Sequence, residues 1–292
     1  DNLRVSSDKR SFSVTKNPYR IYSNNYYSYY GASGTMVQIN DTNNKTVKGQ
    51  VVSATILNKT YKSTTDADGI AVFNLDLEVG NYPVLFEYNG QSLVKHVFVY
   101  STIDEVTSSA EYLNSNIGAY FISPTDDENS NLNVKFIING KEYTATTDSN
   151  GYASVKADLP VGTHTITAVN LQNGEKKQSE ILIYKTTPEV ILKKTKRGDG
   201  ILISASLTDP SAVGNVVFTM GSKKYTTAII RGEAILALNT LEEGSYEVYA
   251  NYIGDYNFNN ILSSTLKFDY EQTNYTISAP AVTKYYGGSE KF

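Results

Sequence analysis

YKSTTDADGIAVFNLDLEVGNYPVLFEYNG, residues 61–90, reads as strand, tight turn, strand, turn, strand. Tyr61, Ser63 and Thr65 alternate with Lys62 and Thr64 before Asp66, Ala67, Asp68 and Gly69 supply a turn whose glycine can hold positive φ. Ala71, Phe73, Leu75 and Leu77 then alternate with Ile70, Val72, Asn74 and Asp76, which directs the first set toward a core. A turn ending in Gly80 launches Tyr82, Val84, Phe86 and Tyr88. The phrase returns as YTATTDSNGYASVKADLPVGTHTITAVN from Tyr143 and, worn down, as YTTAIIRGEAILALNTLEEGSYEVYANYIG from Tyr225. Tyr61, Tyr143 and Tyr225 keep a constant spacing of 82 residues, and so do Gly80, Gly162 and Gly244. A period of that size is one small β-sandwich per copy, so the sequence describes a tandem repeat of all-β domains joined by short linkers.

Divided by this period, 292 residues give three domains, each long enough for one two-sheet core. The first is expected over residues 1–102, with irregular opening strands, closing on LVKHVFVYST; the second over 103–187; the third over 188–272, its start marked by Pro188. Tyr is the compositional signal, 24 residues against 10 Phe and no Trp, and it favours pleated, half-buried surface over helix. The formal charge of −4 and mean hydropathy of −0.33 describe a mildly acidic, water-compatible chain. No basic block suits nucleic acid, and KKTKRG at 193–198, the densest positive run, reads as a solvated loop. No apolar run reaches membrane-spanning length. Cysteine is absent, which removes disulfides, thiolate metal sites and a cysteine nucleophile without placing the chain in the cytosol. No signal peptide precedes Asp1, so a secreted form is expected to arise by processing or as an excised piece.

Candidate chemistry is sparse. The run YSNNYYSYYG at 22–31 places Tyr22, Tyr26, Tyr27, Tyr29 and Tyr30 close together, and such rings can make a carbohydrate- or protein-binding platform by stacking and hydrogen bonding. The simpler reading is a domain seam or an aromatic ladder along an edge strand. Asp66, Asp68 and Asp148 are weak calcium candidates: each turn offers few oxygens, and the third copy, IIRG at 229–232, has no carboxylate. Asp/Asn before Gly is explained by a hairpin turn alone. The acidic loop at Asp126, Asp127 and Glu128 calls for the same caution. No cofactor motif is present, and an enzyme is not expected. His96 lies in an alternating closing strand, and His164 replaces the packing aromatic found at Tyr82 and Tyr246; no serine elbow or phosphate loop accompanies them. An internal Lys–Asn amide, known from force-bearing stalk domains, has no spacing here that selects its residues. Sequons at Asn40, Asn44, Asn58 and Asn274 allow N-glycosylation.

The phrase YxxTTDxxGxA…LxxGxYxVxxxYxG, with YYGG upstream of a new unit, resembles the immunoglobulin-like repeats of adhesin-like surface proteins from methanogenic archaea. Copy one carries Thr64, Thr65, Asp66, Gly69, Ala71, Gly80, Tyr82, Tyr88 and Gly90. Copy two carries Thr146, Thr147, Asp148, Gly151, Ala153 and Gly162; copy three keeps Gly232, Ala234, Gly244, Tyr246, Tyr252 and Gly254 but loses TTD. The resemblance covers about four fifths of the chain. It implies tandem immunoglobulin-like β-sandwiches in an extracellular spacer or adhesive stalk, on or in a cell wall, whose partners are further repeats of the same array. It names no ligand. The rival readings are a wall-polymer- or glycan-binding module using the Tyr-rich segment, and a filament subunit. The tail, residues 273–292, repeats the opener as YYGG at 285–288 and is expected to open a following domain or to be donated as a strand to another copy.

Overall fold

A computed structural model describes residues 17–125, 129–272 and 278–279. The described residues are all-β, with no helix, and so none long and apolar enough to cross a membrane. The strands fall into three pairs of sheets. In the first pair, β1 (Tyr19–Tyr22), β3 (Gly34–Asp41) and β6 (Ile70–Asn74) form one sheet in the order β1-β3-β6. It faces a sheet of β2 (Tyr26–Tyr29), β8 (Gln91–Tyr100), β7 (Gly80–Tyr88), β4 (Val51–Ile56) and β5 (Lys59–Thr64), in that order. The second pair sets β9 (Ile103–Asp104), β11 (Asn116–Phe121) and β14 (Tyr152–Lys156) against a sheet ordered β10 (Ser109–Glu111), β16 (Lys176–Tyr184), β15 (Gly162–Asn170), β12 (Asn133–Ile138), β13 (Lys141–Thr146). The third sets β17 (Val190–Arg197), β18 (Gly200–Leu207) and β21 (Glu233–Leu238) against β20 (Lys223–Ala228), β19 (Asn215–Met220) and β22 (Gly244–Tyr252). There β23 (Ile261–Leu262) and β24 (Leu266–Tyr270) both pair with β22.

By compactness the chain divides into two units. One comprises Asp1–Ala110, Asn114–Asp158 and Thr163–Leu182; the other comprises Glu111–Leu113, Leu159–Gly162 and Ile183–Phe292. The first unit holds the first pair of sheets and nearly all of the second.

Alternation in the repeated phrase sets the cores. Ala71, Phe73, Leu75, Leu77, Val84 and Phe86 are buried, while Tyr61, Tyr82 and Tyr88 are half-buried against them. Phe73 and Phe86 meet across the sheets at 5.8 Å, each burial stabilising by roughly 1.5–3 kcal/mol. The copies keep one register. Ala54 faces Tyr61, Phe136 faces Tyr143 and Phe218 faces Tyr225, while Val37, Ala119 and Ala205 face Ala71, Ala153 and Ala234.

Two sequence expectations need correction. The Asp66–Gly69 turn is not a hairpin, because it carries the chain from β5 in one sheet to β6 in the other. Asp66 Oδ1 accepts the N–H groups of Asp68 and Ile70, both at 2.9 Å, and Asp148 Oδ1 does the same for Asn150 and Tyr152. Gly69 has φ +69°, and a Cβ there would lie 2.7 Å from the Ile39 carbonyl oxygen, so only glycine lets the corner close on β3. The other correction concerns KKTKRG, whose residues through Arg197 extend β17 and are not a loop. Lys194 Nζ sits 4.9 Å over the Phe268 ring and 3.4 Å from the Asp269 carbonyl oxygen, flanking β24. The expectations for residues 126–128, for the opening stretch before Asn17, and for the strand and YYGG opener of the tail lie outside the described residues.

Candidate functional site

The Tyr-rich run does not form one platform; its tyrosines go three ways. Tyr22 ends β1, and residues 23–25 cross from the three-stranded to the five-stranded sheet. Ser23 Oγ donates to the Met36 carbonyl during the crossing, and Asn25 Oδ1 accepts the His96 N–H at 3.1 Å. The chain then runs parallel to β8, pairing Tyr26 with Val97 and Tyr29 with Tyr100. Period two turns Tyr26 and, just past the strand, Tyr30 against the core, and Tyr27 and Tyr29 outward. Outside, Tyr27 stacks on Phe98 at 5.0 Å and lies 6.4 Å from Tyr100, with planes within 9° and 7°. Tyr29 continues the ladder to Tyr100 at 6.3 Å, and His96 extends it to Phe98 at 6.0 Å. Tyr27 and Tyr100 remain 59% and 49% exposed. Sequence reasoning missed Phe98 and Tyr100, although their alternation in a closing strand was there to read.

The crossing opens a groove of about 810 Å³. Its apolar lining comes from Tyr22, Tyr26, Met36 and Ile70, and its polar lining from the amides of Asn24, Asn25, Gln38, Asn40 and Asn44. Gln38 is held by its Nε2, which donates to the Asp68 carbonyl at 3.0 Å. Asn40 Oδ1 is buried and has no hydrogen-bond partner among the described residues. Nothing in the sequence marked Gln38 or Asn40 as a pair, because the groove exists only where the chain leaves β3 between β1 and β2.

Tyr30 leads to a joint. Burial raises its phenol above the ordinary tyrosine range, with Glu78, Asp76 and Glu175 adding to the effect. Its carbonyl accepts Asn173 Nδ2 at 2.9 Å, and Gly31 packs so close that a Cβ would lie 2.7 Å from Asn173 Cβ. Glu175 is 6% exposed, and Thr102 is fully buried. The Glu175 carboxylate accepts Ser101 Oγ at 2.6 Å, Thr102 N–H at 2.7 Å and Thr102 Oγ1, so its burial is compensated by charge-assisted hydrogen bonds. Asn170 and Asn173 each donate to Thr102 Oγ1 at 3.0 Å, and Lys177 Nζ donates to the Ile103 carbonyl at 2.9 Å. The loop after β15 thus holds the chain entering its own sandwich. The other copies repeat the device with different residues. Asn17 Nδ2 donates to the Asn89 carbonyl at 2.6 Å after β7. After β22, the Asn259 N–H donates to the Thr186 carbonyl at 2.8 Å, and its Nδ2 to Thr187 Oγ1 at 3.1 Å.

The remaining singled-out residues serve the turns and strands. Gly162 and Gly244 have φ of +135° and +156°, whereas a Cβ on Gly80 would meet the Tyr82 ring at 3.0–3.2 Å. Tyr82 and Tyr246 donate their hydroxyls to the carbonyls of Glu78 and Glu242 at 3.0 and 2.8 Å. His164, at the matching place, meets Asn139 at 2.8 Å, and His96 meets Asn81 at 2.7 Å. Gly151 and Gly232 close the corners that match Gly69, both at positive φ. Among the described residues no three His, Cys, Asp or Glu side chains converge on a metal position, and Asp66 and Asp148 direct Oδ1 to turn N–H groups. Asn44 and Asn58 lie in exposed turns at φ 61°, Asn40 is half-buried on β3, and Asn274 falls outside the described residues.

No protein-family model matches the sequence, and no curated protein matches it. Among solved structures the chain is similar to SGBP-B of the Bacteroides ovatus mixed-linkage glucan utilization locus, in complex with a mixed-linkage heptasaccharide (14% identity, covering 90% of this chain and 69% of that one, TM-score 0.22). It is similar also to a 1.5-MDa bacterial ice-binding adhesin (14%, 88% and 98%, 0.24) and to the N-terminal four Ig domains of Dscam1 isoform 7.44 (11%, 88% and 73%, 0.30). At these TM-scores the likenesses carry no argument about what this chain does.

Proposed function

We propose that the chain is a non-enzymatic, modular cell-surface protein: a spacer or adhesin-like stalk of immunoglobulin-like sandwiches over residues 1–102, 103–187 and 188–272, with 273–292 opening a further one. The immunoglobulin-like reading is supported by strand division. In the third sandwich the first, second and fifth strands face the fourth, third and sixth, with the short seventh and the eighth both paired to the sixth. It is supported also by Tyr82 and Tyr246, whose hydroxyls reach back four residues as in a tyrosine corner. The observation that carries the stalk reading is the buried Glu175–Thr102 clasp. A loose tether has no use for a buried carboxylate that holds its Ser101–Thr102 segment, whereas a spacer needs defined joints. Kinship with methanogen adhesin-like proteins rests on the repeated phrase. The surface location is tested with antibodies against the purified chain: intact source cells should label, and labelling only after permeabilisation would overturn it.

A second reading, a wall-polymer- or glycan-binding first sandwich, is supported by the exposed Tyr27–Phe98–Tyr100 ladder on one sheet and by the amide-lined groove on the other. The filament reading has less support, because both sheets of the first sandwich already carry opening strands of their own, β1 on β3 and β2 on β8.

A further inference from the structure

We propose that the groove on the outer face of the β1-β3-β6 sheet binds an uncharged, polyhydroxylated ligand, a segment of neutral polysaccharide. This deepens, and rests on, the reading of the first sandwich as glycan-binding, and it places the site in the groove, not on the aromatic ladder.

The internal repeat supplies the controls. The Gly69, Gly151 and Gly232 carbonyls accept the N–H groups of Ile39, Phe121 and Leu207, all at 2.8 Å, which aligns the three faces residue by residue. Gln38 therefore corresponds to Tyr120 and Ser206, and Met36 to Gly118 and Ser204. In the second sandwich the end that matches Met36 is filled. Tyr120 and Tyr152 rings lie 5.1 Å apart, and the Tyr152 hydroxyl covers Gly118 so closely that a Cβ there would collide with it. In the third, Ser206 Oγ faces Glu233 at 3.5 Å, a charged surface without the amides. At the matching position the second sandwich has a smaller groove of about 410 Å³, lined by Asp104, Glu105, Tyr120, Ile122, Asn129 and Asn150, so the groove of the first sandwich is set apart by its size and by a lining without carboxylates.

Its chemistry selects the ligand class. Apart from tyrosine phenols, no residue lining the groove is ionisable, and the nearest charge in register is Arg20, opposite Asn40 at one end. Amides present a donor and an acceptor side by side, which matches neighbouring hydroxyls, and the Tyr22 ring with Met36 and Ile70 offers apolar surface to the C–H faces of a sugar. Buried acceptors are ordinarily partnered, and Asn40 Oδ1 is not. That oxygen is closed to solvent, so a ligand hydroxyl reaches it when the Asn40 amide turns toward the groove.

The test is affinity electrophoresis of the full chain, produced without glycosylation so that Asn44 stays bare, in gels carrying β-glucan, mannan, galactan or polygalacturonate. At least one neutral polymer should retard the protein. Gln38→Ala and Asn40→Leu should each weaken that retardation at least tenfold, and the Tyr27→Ala/Tyr100→Ala double variant should leave it unchanged. Asn40→Leu removes an unpaired polar atom, so its melting temperature should hold or rise, which separates lost binding from lost folding. Retardation by polygalacturonate alone would overturn the neutral chemistry. Retardation by a neutral polymer that the ladder variant abolishes and the groove variants keep would overturn the groove while leaving the first sandwich a glycan binder. No retardation in any gel would overturn both.

Discussion

At the residue scale, one repeat position needs glycine for two different reasons. Gly162 holds φ +135°, a region closed to other residues at low energy, whereas Gly80 is ordinary in φ but lies under the Tyr82 ring. Gly162→Ala should therefore destabilise by about 1–3 kcal/mol, and pairing it with a change at His164 should recover nothing. Gly80→Ala should be rescued by Tyr82→Leu, which removes the crowding ring. Equal, unrescued losses in thermal melts of both would show that backbone conformation alone sets the requirement. A second residue-scale consequence concerns Asp255. Burial by itself would raise its carboxyl, but N–H groups of Val213, Asn257 and Phe258 bond the charged form, and the net value is below the ordinary aspartate range. A depressed carboxyl stabilises the fold above its unfolded value, about 3.9, and that contribution is lost as pH falls through the folded value. The melting-temperature gap between wild type and Asp255→Asn should be full at pH 7 and close toward pH 3. A gap that widens on acidification would contradict this.

At the element scale, the strands were legible because alternation and burial agree residue by residue from Ala71 to Leu77. The connectivity was less so. An Asp-x-x-Gly turn has the same local chemistry in a hairpin and in a corner between sheets, and only the pairing of β5 with β4 and β6 with β3 tells them apart. The groove was illegible for a related reason. Gln38 and Asn40 look like any outward polar residues of a half-buried strand until the chain crosses at residues 23–25 and leaves a gap beside them. The Lys-rich end of β17 carries another element-scale lesson. In the first two sandwiches β2 and β10 cover the last strand, β8 or β16, but among the described residues no strand covers β24 on its outer side. Lys194 flanks that edge, and Lys267 lies on it, paired with Glu247 at 2.5 Å. Edge lysines oppose strand-to-strand association. Lys194→Val with Lys267→Val should leave folding intact and produce concentration-dependent self-association by light scattering. A variant that stays monomeric would assign the protection of this edge to something other than the lysines.

At the scale of the whole molecule, the joints decide whether the chain transmits position or merely connects modules. Linkers of a few residues restrict tilt only where something holds them. Between the first two sandwiches that hold is specific. Glu175 gathers three hydrogen bonds from Ser101 and Thr102, Asn173 reaches Tyr30 and Thr102, and these groups lie within one compact unit. Glu175→Ala would leave the buried Thr102 N–H without its acceptor, a loss of roughly 1.5–3 kcal/mol for a bond to a charged group. The cores on either side do not use the carboxylate, so the effect should appear as motion between folded sandwiches. The absence of native cysteine makes the measurement direct. Spin labels at Lys62→Cys on β5 and Lys141→Cys on β13, both exposed, report the separation of the first two sandwiches in the full chain. The distance distribution should be a single narrow peak, broaden markedly in Glu175→Ala, and broaden further with Asn173→Ala, while circular dichroism stays that of the wild type. A distribution already broad in the wild type, or one indifferent to Glu175, would remove the clasp as the source of rigidity and with it the main support for a stalk.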